Sequence, residues 1–173
     1  KEFGFGVSAG IDLPGEIDGF VPSPQWKERR FHEKWLGGDT MNLSIGQGYL
    51  LVTPLQVADM VAMIVNDGVI YKPHLLLDIR DPVSGAVIKR VTPEVHMQSR
   101  IAPETFRGVR EGMRAVITEG SAHYPVSTKA VQVAGKTGTA EVGLQHRWHS
   151  WFASFGPYDA ERPEDVIVVV TMI

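Results

Sequence analysis

The last quarter of the chain constrains its fold most. Three extended runs, residues 129–142, 147–155 and 166–172, follow one another closely. Only Gly143, and then Gly156-Pro157 with Arg162-Pro163, punctuate them. Links this short cannot carry a crossover, so successive strands must be antiparallel neighbours. Such a sheet needs a second layer to bury one face.

Two helices can supply that layer. Thr53-Pro54-Leu55-Gln56 combines a capping hydroxyl, a proline suited to the first helical position and a glutamine that closes a capping box. Leu55, Val57, Ala58, Val61, Ile64 and Val65 then give a wide apolar face, and Gly68 is the expected stop. A second helix is expected from Pro103 to about Glu119, with Phe106, Val109, Met113, Val116 and Ile117 on one face. Gly108 and Gly112 weaken it locally or admit a close neighbour. Between the helices, residues 69–77 and 83–91 read as extended, with a hairpin around Ser84-Gly85. Residues 1–40, rich in Gly and Pro, read as loop-dominated. The expected fold class is α/β, of the α+β type, in three stretches: 1–52 loop-rich, 53–120 helical with a hairpin, and 129–173 the strands.

Composition narrows the function. At 173 residues and 43% apolar, the chain is long enough for a core. A net charge of −3, with both signs dispersed, argues against nucleic acid as a partner. The absence of cysteine excludes disulfides and thiolate metal sites. No apolar run is long enough to span a membrane. The sequence starts at a residue other than Met and ends in an apolar run with no cap behind it, so a larger parent is expected.

Chemistry concentrates in Val133-Ala134-Gly135-Lys136-Thr137-Gly138-Thr139-Ala140-Glu141, at the head of the β-rich third. On an edge strand, unpaired backbone N–H groups can meet a carbonyl oxygen where its charge develops. Lys136 supplies a positive field. Thr137 and Thr139, two residues apart, place hydroxyls on one strand face. Gly138 lets a substrate approach the backbone.

Other motifs fail on context. Gly135-Lys136-Thr137 imitates a phosphate-binding loop, but position 130 is Ala and strand-like sequence flanks it on both sides. Gly6-Val7-Ser8-Ala9-Gly10 has the spacing of a nucleophile elbow, yet Pro14-Gly15 leaves no room for the required helix, so Ser8 is a loop serine. Gly4-x-Gly6-x-x-Ala9 fails as a dinucleotide fingerprint for the same reason. Gly46-Gln47-Gly48 reads as a tight turn. His146 and His149 fall on opposite faces of a strand and lack a third ligand, so no metal site is expected. Asp12, Glu16 and Asp18 read as a solvated loop, and Trp148 and Trp151 as packing or cleft-wall residues.

Together these segments resemble the C-terminal part of the transpeptidase domain of class B penicillin-binding proteins, in its elongation-type, penicillin-binding protein 2 form. The resemblance runs through nearly the whole chain in order. It is carried by Phe3-Gly4-Phe5-Gly6 with residues 8–16, Gly19-Phe20-Val21-Pro22-Ser23-Pro24, Asn42-Leu43-Ser44-Ile45-Gly46-Gln47-Gly48 with Thr53-Pro54-Leu55-Gln56, and the Lys136-Thr137-Gly138 strand. That family also uses a Ser-x-x-Lys nucleophile motif and a Ser-x-Asn motif. Neither occurs here.

The resemblance implies a penicillin-binding, serine β-lactamase-like fold with the Lys-Thr-Gly strand at one sheet edge. It implies a serine D,D-transpeptidase that acts on the D-Ala-D-Ala end of a peptidoglycan stem peptide and is blocked by β-lactam antibiotics. Lys136 would give electrostatic and proton-network support. Thr137, Gly138 and Thr139 would bind substrate, and the Thr139 backbone N–H would be one oxyanion donor. No metal or organic cofactor is implied. The nucleophile would come from the N-terminal part of the same domain, absent from this chain, so the piece alone would be inactive. Residues 166–172 would be an apolar edge prone to self-association. A membrane-anchored parent on the periplasmic side, working with a wall-elongation glycosyltransferase, is implied as well. A penicillin sensor, a serine β-lactamase and a non-catalytic interaction fragment are the alternatives of the same fold.

Overall fold

The computed structural model describes residues 2–143 and 147–173. Its centre is a three-stranded antiparallel sheet of β5 (Ala134–Glu141), β6 (Trp148–Gly156) and β7 (Ile167–Met172), in that order. The register pairs Ala134 with Phe155 and Glu141 with Trp148, and on the other side Trp151 with Met172. Helices α3 (Pro54–Val65) and α4 (Pro103–Thr118) cover one face. Between them, β1 (Val69–Tyr71) pairs with β4 (Val95–Gln98), and β2 (Asp78–Arg80) with β3 (Val87–Arg90). The core joins Val61, Met63 and Ile64 of α3, Ile70, Phe106 and Met113 to Ala134, Ala153 and Phe155 of the sheet.

Helix α3 begins where its capping signal lies. Thr53 Oγ1 accepts from Gln56 N at 3.1 Å, and Gln56 Oε1 accepts from Thr53 N at 3.0 Å. Gln56 does more than cap. It is 1% exposed, and its Nε2 donates to the carbonyls of Val7 (2.9 Å) and Asp18 (2.7 Å), tying the first loops to the helix. Gly19 must be glycine here, because a Cβ would lie 2.5 Å from Leu51 O. Helix α4 spans the expected stretch, and Arg110 Nη1 donates to Ile64 O and pairs with Asp67, both at 2.6 Å, closing the end of α3.

Four expectations are corrected. Residues 1–40 contain helix α1 (Pro24–Phe31) and the start of α2 (Gly37–Ser44). Ser23 caps α1, and Arg29 and Arg30 in its last turn suit the helix dipole. The buried Lys27 binds Asp39 at 2.7 Å, and Asp39 also accepts from Leu36 N, which opens α2 despite Gly37-Gly38. Lys27 holds the Asp39 carboxyl below the usual carboxylate range, with the Leu36 N–H adding to the effect. Second, Asp12 and Glu16 organise loops. Asp12 accepts from Leu75 N and Leu76 N, and the half-buried Glu16 accepts from Ser8 Oγ and from the N–H groups of Ala9 and Gly10. Third, the first strand of the sheet starts at Ala134, because the Gln132 carbonyl is taken by Tyr158 N (2.7 Å). Fourth, extended structure after Val69 stops at Tyr71, before Pro73, and Val83 belongs to the β2–β3 turn, held by Asp81 Oδ1.

Two stability outcomes follow from the buried polar groups on α3. Gln56→Leu strands the Val7 and Asp18 carbonyls and breaks the cap, and is expected to cost about 3 kcal/mol in denaturant unfolding. Asp59 is 8% exposed, and burial, with the Glu16 charge adding, pushes its carboxyl up to about 7. Between its ordinary pKa of 3.8 and about 7, the unfolded chain has lost this proton while the folded chain keeps it. Asp59 therefore lowers stability as pH rises through that window, by about 1.4 kcal/mol per unit. Urea midpoints at pH 5 and pH 8 should show Asp59→Asn flattening this decline and stabilising the protein at pH 8.

Candidate active site

Strand β5 lies at the edge of its sheet, and the phase of its pairing decides what that edge offers. Ser150, opposite Thr139, exchanges both backbone hydrogen bonds with Ile173, at 2.8 and 3.0 Å. In an antiparallel strand the N–H and C=O of one residue point to the same side. Ser150 therefore turns its groups toward β7, and Thr139 turns its own away from β6 to the free edge. Thr137, two residues earlier, does the same. Three side-chain contacts agree with this phase. Arg114 Nη1 donates to Val133 O (2.6 Å), Lys136 Nζ to Thr137 O (2.6 Å) and Gln47 Nε2 to Thr139 O (3.2 Å).

Three of the outward carbonyls, those of Val133, Thr137 and Thr139, are thus occupied by two cations and an amide. The N–H groups of Thr137 and Thr139 meet no acceptor among the described residues. An edge of donors flanked by positive charge suits an anionic oxygen.

Side chains sort by alternation. Lys136 and Gly138 share a face with the buried Ala134, and Lys136 lies across from Ala153. Thr137 and Thr139 share the other face, where Thr137 Oγ1 lies 3.3 Å from Ser121 Oγ. The two glycines differ. A Cβ on Gly135 would come 2.8 Å from the Phe152 ring, so packing requires glycine there. A Cβ on Gly138 would meet only Trp151 Cβ at an ordinary 3.5 Å. The fold does not demand glycine at 138, so any demand comes from what approaches the strand.

Next to Lys136 runs an apolar groove of about 400 Å³ between α3 and α4. Met60, Ile64, Val109, Met113 and Val116 wall it, and Gly112 opens it. Val109, expected on the buried face of α4, is 40% exposed here. On the other flank, a smaller polar cavity of about 260 Å³ is lined by Trp35, Asp39, Asn42, Gln47 and Tyr49.

The structure places Lys136, Thr137, Gly138 and Thr139 together, on one edge. Ser8 is remote from them in role, bound to Glu16 in its loop at 2.6 Å. His146 lies outside the described residues. Gln47 and Ser121 are new members of the site. Ser121 carried no sequence signal. Gln47 did, as the side chain between Gly46 and Gly48.

The family model described as the penicillin-binding protein transpeptidase domain matches residues 1–173. The peptidoglycan D,D-transpeptidase MrdA of Acinetobacter baumannii is 36% identical over 98% of this chain and 27% of its own length. That of Haemophilus influenzae is 32% identical over 98% of this chain and 28% of its own. The chain therefore spans less than a third of these relatives. The crystal structure of Pseudomonas aeruginosa PBP2 with WCK 5153 superposes with a TM-score of 0.77 at 34% identity, covering 99% of this chain and 37% of that one. PBP2 of Helicobacter pylori, in complex with MreC, superposes at 0.74 and 32% identity over 99% of this chain and 29% of that one. The match of the family model over residues 1–173, with relatives at 32% and 36% identity over 98% of the chain, makes the chain a member of the penicillin-binding protein transpeptidase family, of the class B, PBP2/MrdA type.

Proposed function

We propose that this chain forms the substrate-binding wall of a peptidoglycan D,D-transpeptidase. The observation that carries the reading is the outward Thr139 N–H, on the free edge beside Lys136. A serine from another part of the domain attacks the carbonyl of the penultimate D-Ala of a stem peptide. The carbonyl oxygen takes up the negative charge, and the Thr139 N–H is one of the two donors that meet it. Collapse of the tetrahedral intermediate breaks the bond to the terminal D-Ala, which leaves as the amine with a proton from the Lys136 network. An amine of a neighbouring stem then attacks the ester, the serine recovers its proton, and the two stems are joined. The Thr137 and Thr139 hydroxyls bind the terminal carboxylate before it leaves. A β-lactam presents the same carbonyl and carboxylate and halts at the acyl-enzyme.

The apolar groove beside Lys136 supports the split of labour. It is the docking place for the N-terminal part of the same domain, which brings the serine to the strand. Without that part, the chain would be inactive and would self-associate along β7, where Ile167 is 68% and Val169 52% exposed. No helix among the described residues is long and apolar enough to cross a membrane. The membrane anchor, the periplasmic placement and the glycosyltransferase partner belong to the parent protein.

Intact-mass spectrometry of the parent protein after incubation with benzylpenicillin tests the reading. One added penicillin mass is expected, and the absence of any adduct would contradict it. Gly138→Ala probes the strand itself. Its unfolding free energy should stay within about 0.5 kcal/mol of the parent's, because the fold has room for the methyl. Its acylation should slow about tenfold or more as the methyl enters the substrate's path. Lys136→Ala should slow acylation at least as much, in a stopped-flow assay with a chromogenic cephalosporin.

A further inference from the structure

Gln47 reaches the active-site strand from 92 positions away in sequence, and nothing in the transpeptidase reading assigns it a role. Its presentation is rigid. Gly46 and Gly48 both adopt left-handed backbone, with φ of 77° and 76°. Gln47 N donates to Asn42 O (2.8 Å), and Gly46 N to Leu43 O (3.1 Å), so the turn is locked onto the end of α2. Beyond the turn, Leu51 exchanges both backbone hydrogen bonds with Phe20, at 2.7 and 2.9 Å. Tyr49 packs against Trp26 and Phe31, with ring centroids 5.0 and 5.4 Å apart. The half-buried Gln47 side chain is thereby fixed at its base and aimed at β5.

Its target is the Thr139 carbonyl, on the same side of the strand as the Thr139 N–H. The carbonyl and the N–H of one residue lie on adjacent peptide units that share its Cα, so both shift when an edge strand twists or frays, and among the described residues no strand pairs with β5 on this side. We propose that Gln47 is a positioning residue for acyl transfer. Its carboxamide N–H pins the outer edge of β5 at Thr139 and so sets where the oxyanion donor points. A carbonyl oxygen has two acceptor positions, so this bond leaves one for a peptide laid along the edge. Gln47 is placed to act through Thr139 and does not itself meet the reacting carbonyl. The proposal rests on the transpeptidase reading above.

The test uses the parent protein with its complete active site. Acylation by a chromogenic cephalosporin is resolved into the dissociation constant of the encounter complex and the first-order acylation rate constant. Gln47→Glu keeps the size and removes the donor, and Gln47→Leu removes both polar atoms. In each, the acylation rate constant should fall between about tenfold and a hundredfold, while the dissociation constant changes less than about threefold. Gln47→Lys, which restores a donor of similar reach, should recover most of the rate. The melting temperature and the fraction of enzyme titratable by penicillin should match the parent's in all three. An unchanged acylation rate constant in Gln47→Leu overturns the proposal. So does a loss confined to the titratable fraction, because that marks a merely structural turn. If the parent itself is not acylated, the transpeptidase reading falls and this proposal with it. If the parent is acylated and the variants match it, this proposal alone falls.

Discussion

The pairing phase of β5 against β6 is the constraint on which the rest of the site depends. A shift of one residue would turn the Thr137 and Thr139 peptide groups inward and present Lys136 and Gly138 backbone to the edge instead. The phase is fixed from the far side of the sheet, where Ser150 gives both its backbone groups to Ile173. It is fixed again by packing, because Ala134 must face the α3–α4 layer and Gly135 must lie under the Phe152 ring. The small residues before Lys136 therefore set the register that makes the next four residues useful.

An open strand edge is normally a hazard, with donors and acceptors alike free to pair with another chain. Here three of the acceptors, the carbonyls of Val133, Thr137 and Thr139, are engaged by Arg114, Lys136 and Gln47, drawn from α4, from β5 itself and from the turn after α2. The donors stay open. That asymmetry biases the edge toward oxygen acceptors, in a region where two of the three covering groups are cationic. It also explains why parts of the molecule far from β5 in sequence are built so firmly. The buried Gln56 and the Lys27–Asp39 pair anchor the loops and helices from which the Gln47 turn projects.

Much of this was legible in the sequence, and the rest was not for identifiable reasons. Local signals carried well. The Thr53–Gln56 capping box, the Pro103 start of α4 and the Ser84-Gly85 hairpin depend on neighbours a few positions apart, and all lie where expected. The antiparallel order of the last three strands followed from link length alone. Helices α1 and α2 were hidden because their stability is tertiary. Helix α2 opens on two glycines and forms because Asp39 is held by a lysine twelve residues earlier. The candidate site was half visible. Lys136, Thr137, Gly138 and Thr139 stand in one run, but Gln47, Arg114 and Ser121, which contact that strand, come from other elements that spacing does not connect to it.

The outward direction of the Thr139 peptide is the claim most directly open to measurement. Amide hydrogen exchange at single-residue resolution, on the parent protein with and without covalently bound penicillin, reads it. Without ligand, the Gly138 N–H, which points to β6, should be protected, and the Thr139 N–H should exchange fast. Once penicillin is bound, the Thr139 N–H should become protected as its oxygen acceptor arrives. Equal protection of the two amides before binding, or a Thr139 amide indifferent to penicillin, would contradict the account.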